Sequence, residues 1–217
     1  MASDEYKTIT KPSPEGLFKA KGSKFHGYAF PVLDEEEVAT FVKTVQDQHH
    51  KARHHCYAYR IGLDGDRWRA NDDGEPSSSA GKPILGQIDS FELTNVLVVV
   101  VRYFGGTKLG VSGLIEAYRE GAIATLSQAV IIEKVESKRL RIDTDYAHLS
   151  DLMNAVKGST WKIINQVMET SVSLTVEHRK DGFDEALTSL WLVLAKAYPG
   201  DENLDKNPEG YIIHQLN

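Results

Sequence analysis

Cysteine is nearly absent: Cys56 stands alone in 217 residues. A single thiol excludes an internal disulfide framework and a thiolate metal site, and it suits a reducing compartment. Long apolar runs are missing too. No stretch reaches the roughly 18 residues a membrane-spanning helix requires, and the N-terminal MASDEYKTITK is acidic and polar where a signal peptide would be basic and then apolar. A cytoplasmic protein with no membrane partner is expected. A basic excess is lacking as well, since 25 Lys and Arg face 31 Asp and Glu, for a formal charge of -6. That balance argues against an all-over nucleic-acid binder and gives no expectation of DNA specificity, while leaving room for a local basic groove. Low-complexity tracts and long internal repeats do not occur.

What remains is an ordinary globular composition, 41% hydrophobic and 26% charged. The chain exceeds the common domain size of roughly 100 to 150 residues, so two domains are expected, divided as 1–134 and 135–217. LFKAKGSKFHGYAFPV, from Leu17 to Val32, alternates around Gly22-Ser23 as a hairpin does. A helix follows with Val38, Phe41, Val42 and Val45 at helical spacing, then a strand over HCYAYRIG ended by an LDGD turn. Ser77 to Phe91 predicts a helix with a hydroxyl cap near its start, Pro83 sitting in its first turns. The unbroken run NVLVVVVRYF predicts a strand buried on both faces, leading through glycines into a helix from about Gly113 to Ala129. After a break near IIEKVESKRL the order is strand (Lys138 to Thr144), helix (Tyr146 to Val156), two strands (Trp161 to Glu169, Ser171 to His178), helix (Phe183 to Ala197) and strand (Gly210 to Leu216). That βαββαβ order is ferredoxin-like, so the fold class is α+β.

DDGEPSSSAGKPILGQ, Asp72 to Gln87, has the look of a nucleotide-binding loop and is not one. Pro76 occupies the place of the first glycine and Pro83 that of the Mg²⁺-binding hydroxyl. The stretch before it, RWRANDDGEP, reads as polar and turn-rich rather than as a buried strand. The glycine-rich GGTKLG has the wrong spacing for a dinucleotide fingerprint. It still turns backbone N–H groups toward an anion at a helix start, with Arg102 and Lys108 as added charge. In HHKARHHCYAYR, strand alternation puts His55, Tyr57 and Tyr59 on one face and His54, Cys56, Ala58 and Arg60 on the other. No second ligand group completes a metal set, so neither metal nor cofactor is expected. The candidate anion or nucleic-acid residues are Arg53, His54, Lys82, Arg102, Gly105, Gly106, Lys108 and Gly110, with Asp73 and Glu75 as candidate acid/base groups. Each has a plain alternative: glycines that only pack, and carboxylates that only cap a turn.

Three segments taken together, ARHHC at Ala52 to Cys56, DDGEPSSSAGKP at Asp72 to Pro83 and RYFGGTKLGVSGLIEAY at Arg102 to Tyr118, resemble the YigZ/IMPACT family. Two departures are visible. Ser78-Ser79 stand where that pattern has Gly-Thr, and Val111-Ser112-Gly113 where small residues and Gly-Gly are usual. The resemblance implies a first domain similar to domain four of elongation factor G and to the GHMP small-molecule kinases, a second similar to the ferredoxin-like domain five, and a role in translational control. Three readings stay open: a translation-linked protein binding RNA, the ribosome or a translation factor through an anion-binding cleft; an enzyme or sensor for a small phosphorylated ligand; and a protein-interaction module. The non-enzymatic reading is preferred, because no nucleophile or cofactor fingerprint names a reaction. They part on whether the cations converge on a pocket or spread along a groove.

Overall fold

The computed structural model describes residues 5–63, 67–196 and 203–216. The chain divides into two compact units between Lys134 and Val135. In the first, β1 (Glu5–Ile9) precedes the hairpin of β2 (Gly16–Ala20) and β3 (Ser23–Pro31). Its two-residue turn, Lys21-Gly22, has both φ angles positive, at 43° and 82°, the turn hand that matches strand twist. Helix α1 (Glu35–Gln48) opens with two side-chain caps: the N-cap Asp34 accepts the Glu37 N–H, and the Glu37 carboxylate accepts the N–H of Leu33, just before the cap. It buries Val38, Val42 and Val45, as their spacing predicts, and Phe41 stacks on Phe30 at 4.5 Å.

Strands β4 (His54–Ile61) and β5 (Arg67–Asn71), helix α2 (Gly81–Ser90), strand β6 (Val96–Tyr103), helix α3 (Gly110–Leu126) and strand β7 (Ile131–Val135) complete the unit. The main sheet runs β2-β3-β6-β4-β5, antiparallel throughout, and β1 pairs with β7. β6 is central and buried on both faces. Val96, Val98 and Val100 pack with Ile84, Ile88, Ala117 and Tyr118 of α2 and α3, and Leu97, Val99 and Val101 pack with the valines of α1. The valine run is thus explained by helices on both faces of an antiparallel sheet.

Five expectations need correction. RWRAN is an edge strand, β5, not a turn; with a single hydrogen-bonded neighbour it tolerates polar residues that a central strand would not. Ile131–Val135 is a strand where a break was expected, and β1 forms within a segment read only as polar. α2 begins at Gly81, four residues later than Ser77, because residues 76–79 form a turn and Pro83, in the first helical turn, requires no N–H partner. α3 begins at Gly110, so Gly110 and Gly113 are helical and the glycine loop is shorter. The expected LDGD turn lies mostly outside the described residues.

The second unit comprises β8 (Ser137–Thr144), α4 (Leu149–Lys157), β9 (Lys162–Met168), β10 (Val172–Arg179), α5 (Phe183–Ala195) and β11 (Tyr211–Leu216). Its sheet order β11-β8-β10-β9 is the ferredoxin-like arrangement, all antiparallel. Leu140, Ile142, Leu174 and Val176 face the helices. On the opposite face, Arg139 pairs with Glu177 and Arg141 with Asp143. That face carries paired charge rather than aromatic stacking platforms.

Candidate anion-binding site

The start of β4 and the end of β6 lie side by side, with His54 opposite Arg102 in the ladder. Together with the segment before β4 they wall a cavity of about 540 Å³, lined by Lys51, Arg53, His54, Arg102, Tyr103 and Phe104. Three cations, an imidazole and two aromatic rings therefore face one concavity. Phe104, 58% exposed, follows the strand as an open ring.

Arg102 is not the mobile cation that its position at a strand end suggests. Its side chain is 9% exposed, and Nη1 donates to Glu75 Oε1 at 2.7 Å, a carboxylate itself only 4% exposed. The guanidinium lies over Phe25 at 5.7 Å and Phe104 at 5.5 Å. Its Nε, buried, has no hydrogen-bond partner among the described residues. Tyr118 of α3 donates its hydroxyl to the same Glu75 oxygen at 2.9 Å, and burial drives that phenol far above its usual titration range. Glu75 is thus the counter-ion that holds Arg102 in place, not a free proton shuttle; removing either partner would strand a buried charge, at a cost of about 3–5 kcal/mol.

Asp73 likewise ties the loop to β4. Its carboxylate accepts the His55 N–H at 2.6 Å, and its carbonyl accepts His54 Nδ1–H at 2.8 Å, which leaves His54 Nε2 as the imidazole's other exchangeable position. Asp72 accepts N–H groups of Ser78, Ala80 and Gly81 at 2.8, 2.9 and 2.8 Å. The amides at the start of α2 are therefore already occupied. Cys56 is buried, gives its S–H to the Asp72 carbonyl, and has its thiol pushed far up by burial, so it is packing rather than nucleophile.

The structure brings Arg53, His54 and Arg102 together, with Asp73 and Glu75 behind them. Lys82 on α2 and Lys108 in the loop are exposed and do not line the cavity, nor does Gly110. Gly105 packs against the β2–β3 turn, where a Cβ would come within 1.9 Å of the Gly22 backbone; Gly106 takes φ 86° in open space. Sequence reading did not place Tyr103 or Phe104 in the site, although both stand in the quoted RYF.

It also missed a polar cluster on the other side of Tyr103. His49, the C-cap residue of α1, accepts or donates at both ring nitrogens: Nε2 to Tyr28 Oη at 2.7 Å and Nδ1 to Tyr103 Oη at 3.0 Å. His26 Nδ1 bonds Glu15 Oε1 at 2.5 Å. Burial, reinforced by nearby His26, lowers the His49 pKa. For Glu15, burial works upward, but the hydrogen bond with His26, helped by the polar groups around it, wins and leaves the carboxyl below its usual value.

Against known proteins, the Impact N-terminal domain model matches residues 21–126. The "IMPACT family member YvyE" of Bacillus subtilis is 34% identical over 171 residues, covering 77% of this chain and 79% of the relative. The chain belongs to the IMPACT family. The family member YigZ of Escherichia coli is 35% identical over 143 residues, 65% of this chain and 70% of its own. The crystal structure of a hypothetical protein superposes with a TM-score of 0.63 at 28% identity, covering 98% of this chain and 96% of that one. The IMPACT match runs from the β2–β3 turn to the end of α3 and so contains every residue lining the cavity. Among the described residues no helix is long and apolar enough to cross a membrane.

Proposed function

We propose that this protein is a translation-linked regulator that binds single-stranded RNA, free or on the ribosome, through the cavity at the end of β4 and β6. The observation that carries the reading is the convergence of Lys51, Arg53 and Arg102 beside the open ring of Phe104. Cations track phosphate and an exposed ring stacks a base, the combination used for single strands. The unpartnered Arg102 Nε–H adds a buried donor on a residue of the cavity wall. IMPACT family membership supports the translational context. Arg102 serves here as a fixed, counter-ion-locked donor, while Lys51 and Arg53 supply the charge that salt screens.

The test is binding of short single-stranded RNA and of ribosomes across a salt series. Removing two phosphate contacts in the double variant Lys51→Ala/Arg53→Ala should flatten the slope of log affinity against log salt by about 1.4. Phe104→Ala should weaken binding by about tenfold with the slope unchanged, because one stacked base is worth ~1–3 kcal/mol. No RNA binding at low salt overturns the reading. Nucleoside monophosphate binding with the same sensitivities would then favour the small-ligand alternative.

A further inference from the structure

We infer that β5 is a docking edge for an acidic, extended peptide segment of a partner protein, which adds to the main sheet as a further strand beside Arg67, Trp68 and Arg69. The inference is independent of the RNA reading, which concerns the ends of β4 and β6.

The main sheet ends openly on this side. Among the described residues β4 is the only strand hydrogen-bonded to β5, so the outer row of β5 N–H and C=O groups has no strand beside it. Ladder register sorts the side chains. Ala70 lies opposite Ala58 in the core under α2 and α3, which puts Trp68 on that face; Arg69 lies opposite Tyr59 and Arg67 opposite Ile61, on the face that α1 covers. Arg67 accordingly meets Glu35 of α1 at 3.6 Å, with both side chains about half exposed. Arg69 is exposed, and RWRAN contains no acid. Trp68 is 52% exposed, whereas Trp161 and Trp191 are buried.

Edge arginines have a plain use, since charge keeps sheet edges of different molecules apart. A half-exposed tryptophan does not serve that use; it offers apolar area that a partner would cover. The occupant follows from the charge and the alternation. A second copy of this chain, paired edge to edge about a two-fold axis in a register centred on Arg67, Trp68 or Arg69, would set arginine opposite arginine, and like charges directly opposite are destabilising. A nucleic-acid strand would need ring and cations on one side, and the alternation of β5 puts Trp68 on the other face of the sheet from Arg67 and Arg69. A peptide strand matches all three features. It completes the open ladder, and its side chains alternate as those of β5 do, so acids at alternate positions stand opposite Arg67 and Arg69 while the residue between them lies on Trp68. The pattern recognised is acid, apolar, acid in an extended segment.

The experiment titrates the full chain into a labelled, end-capped peptide, Thr-Glu-Val-Glu-Val-Thr, at low salt and reads anisotropy, with the emission of Trp68, the exposed one of the three tryptophans, as a second reading on the wild-type protein. Saturable binding is expected, weakened about tenfold by Trp68→Ala. Arg67→Glu/Arg69→Glu should lose this peptide and take up the version with lysine in place of both glutamates. N-methylation of the peptide backbone at every second residue should abolish binding in one phase and spare it in the other, because only alternate N–H groups of an added strand face β5. Methylation acting alike in both phases, or binding indifferent to Trp68→Ala, overturns the inference. A concentration-dependent dimer of the wild-type chain that Trp68→Ala dissolves overturns it in favour of a second copy, and RNA binding lost in Arg67→Glu/Arg69→Glu without any peptide binding overturns it in favour of nucleic acid. Lys51→Ala/Arg53→Ala should leave peptide binding unchanged, so the two readings fail separately.

Discussion

Ser78 takes φ 61°, in the left-handed region that a side chain enters at a cost of roughly 1–2 kcal/mol. The resemblance drawn from the sequence places glycine there, and the backbone gives the reason: the turn between Asp72 and α2 needs a positive φ at this position. The neighbouring Ser79 keeps the hydroxyl of the usual threonine and uses it, donating to the Pro76 carbonyl at 2.6 Å while fully buried. Relief of the strain at Ser78 is partly offset by the extra freedom glycine has in the unfolded chain. Ser78→Gly should therefore stabilise the protein by about 1 kcal/mol, read as a higher urea midpoint at unchanged slope. A lower midpoint would mean that the Ser78 side chain, not its backbone, is what the turn uses.

At the scale of an element, α2 is notable for lacking a cap of its own. Its N-cap residue, Ala80, has no side chain able to accept, and the first turn contains no acid. Asp72 performs that task from eight residues upstream, one oxygen taking both Ala80 and Gly81 N–H and the other Ser78 N–H. The arrangement fastens the end of β5 to the start of α2, and the same loop carries Asp73 to β4 and Glu75 to Arg102. Asp72→Ala should cost about 2 kcal/mol, since charged acceptors of several amides exceed a single neutral cap. Anion binding should weaken with it, because the loop behind His54 and Arg102 is loosened; thermal melts and the RNA titration check the two parts. This helix also explains why its start was misread: a hydroxyl-rich run beside an apolar one is the usual cap signal, and nothing local marks a remote carboxylate as the cap.

For the whole molecule, the cluster around His49 exists only when the segment before β2, strand β3, the end of α1 and the end of β6 are assembled. Unfolding returns His49 to its ordinary value of 6.5, above its folded value. The unfolded chain then binds more protons, so stability is lost as pH falls through about 6.5 and levels off below the folded value. Glu15 has the carboxylate sign, its folded value lying below 4.5, and its contribution is lost only at more acid pH. Denaturant unfolding between pH 7.5 and 5 should show the first decline, and His49→Gln should flatten it. A slope unchanged in that variant would assign the proton uptake to another group.

Local pattern suffices for the periodic parts: the hairpin, α1, the doubly buried β6 and the βαββαβ order of the second unit. In each of these, apolar spacing and turn residues act over a few positions of chain. It also marked Arg53, His54 and Arg102, because basic residues at the ends of apolar strands stand out locally. Edge strands β1, β5 and β7 escaped, since polar residues suffice where a strand has one neighbour. Which charges are available depends instead on the assembled fold. Glu75 and Arg102, 27 residues apart, neutralise one another in the core, whereas Lys82 and Lys108, as basic in sequence, stay outside the cavity wall. The same holds for the cluster of Tyr28, His49 and Tyr103, whose members are brought together by sheet register and the end of a helix. Such contacts span long chain separations, and no local pattern encodes them.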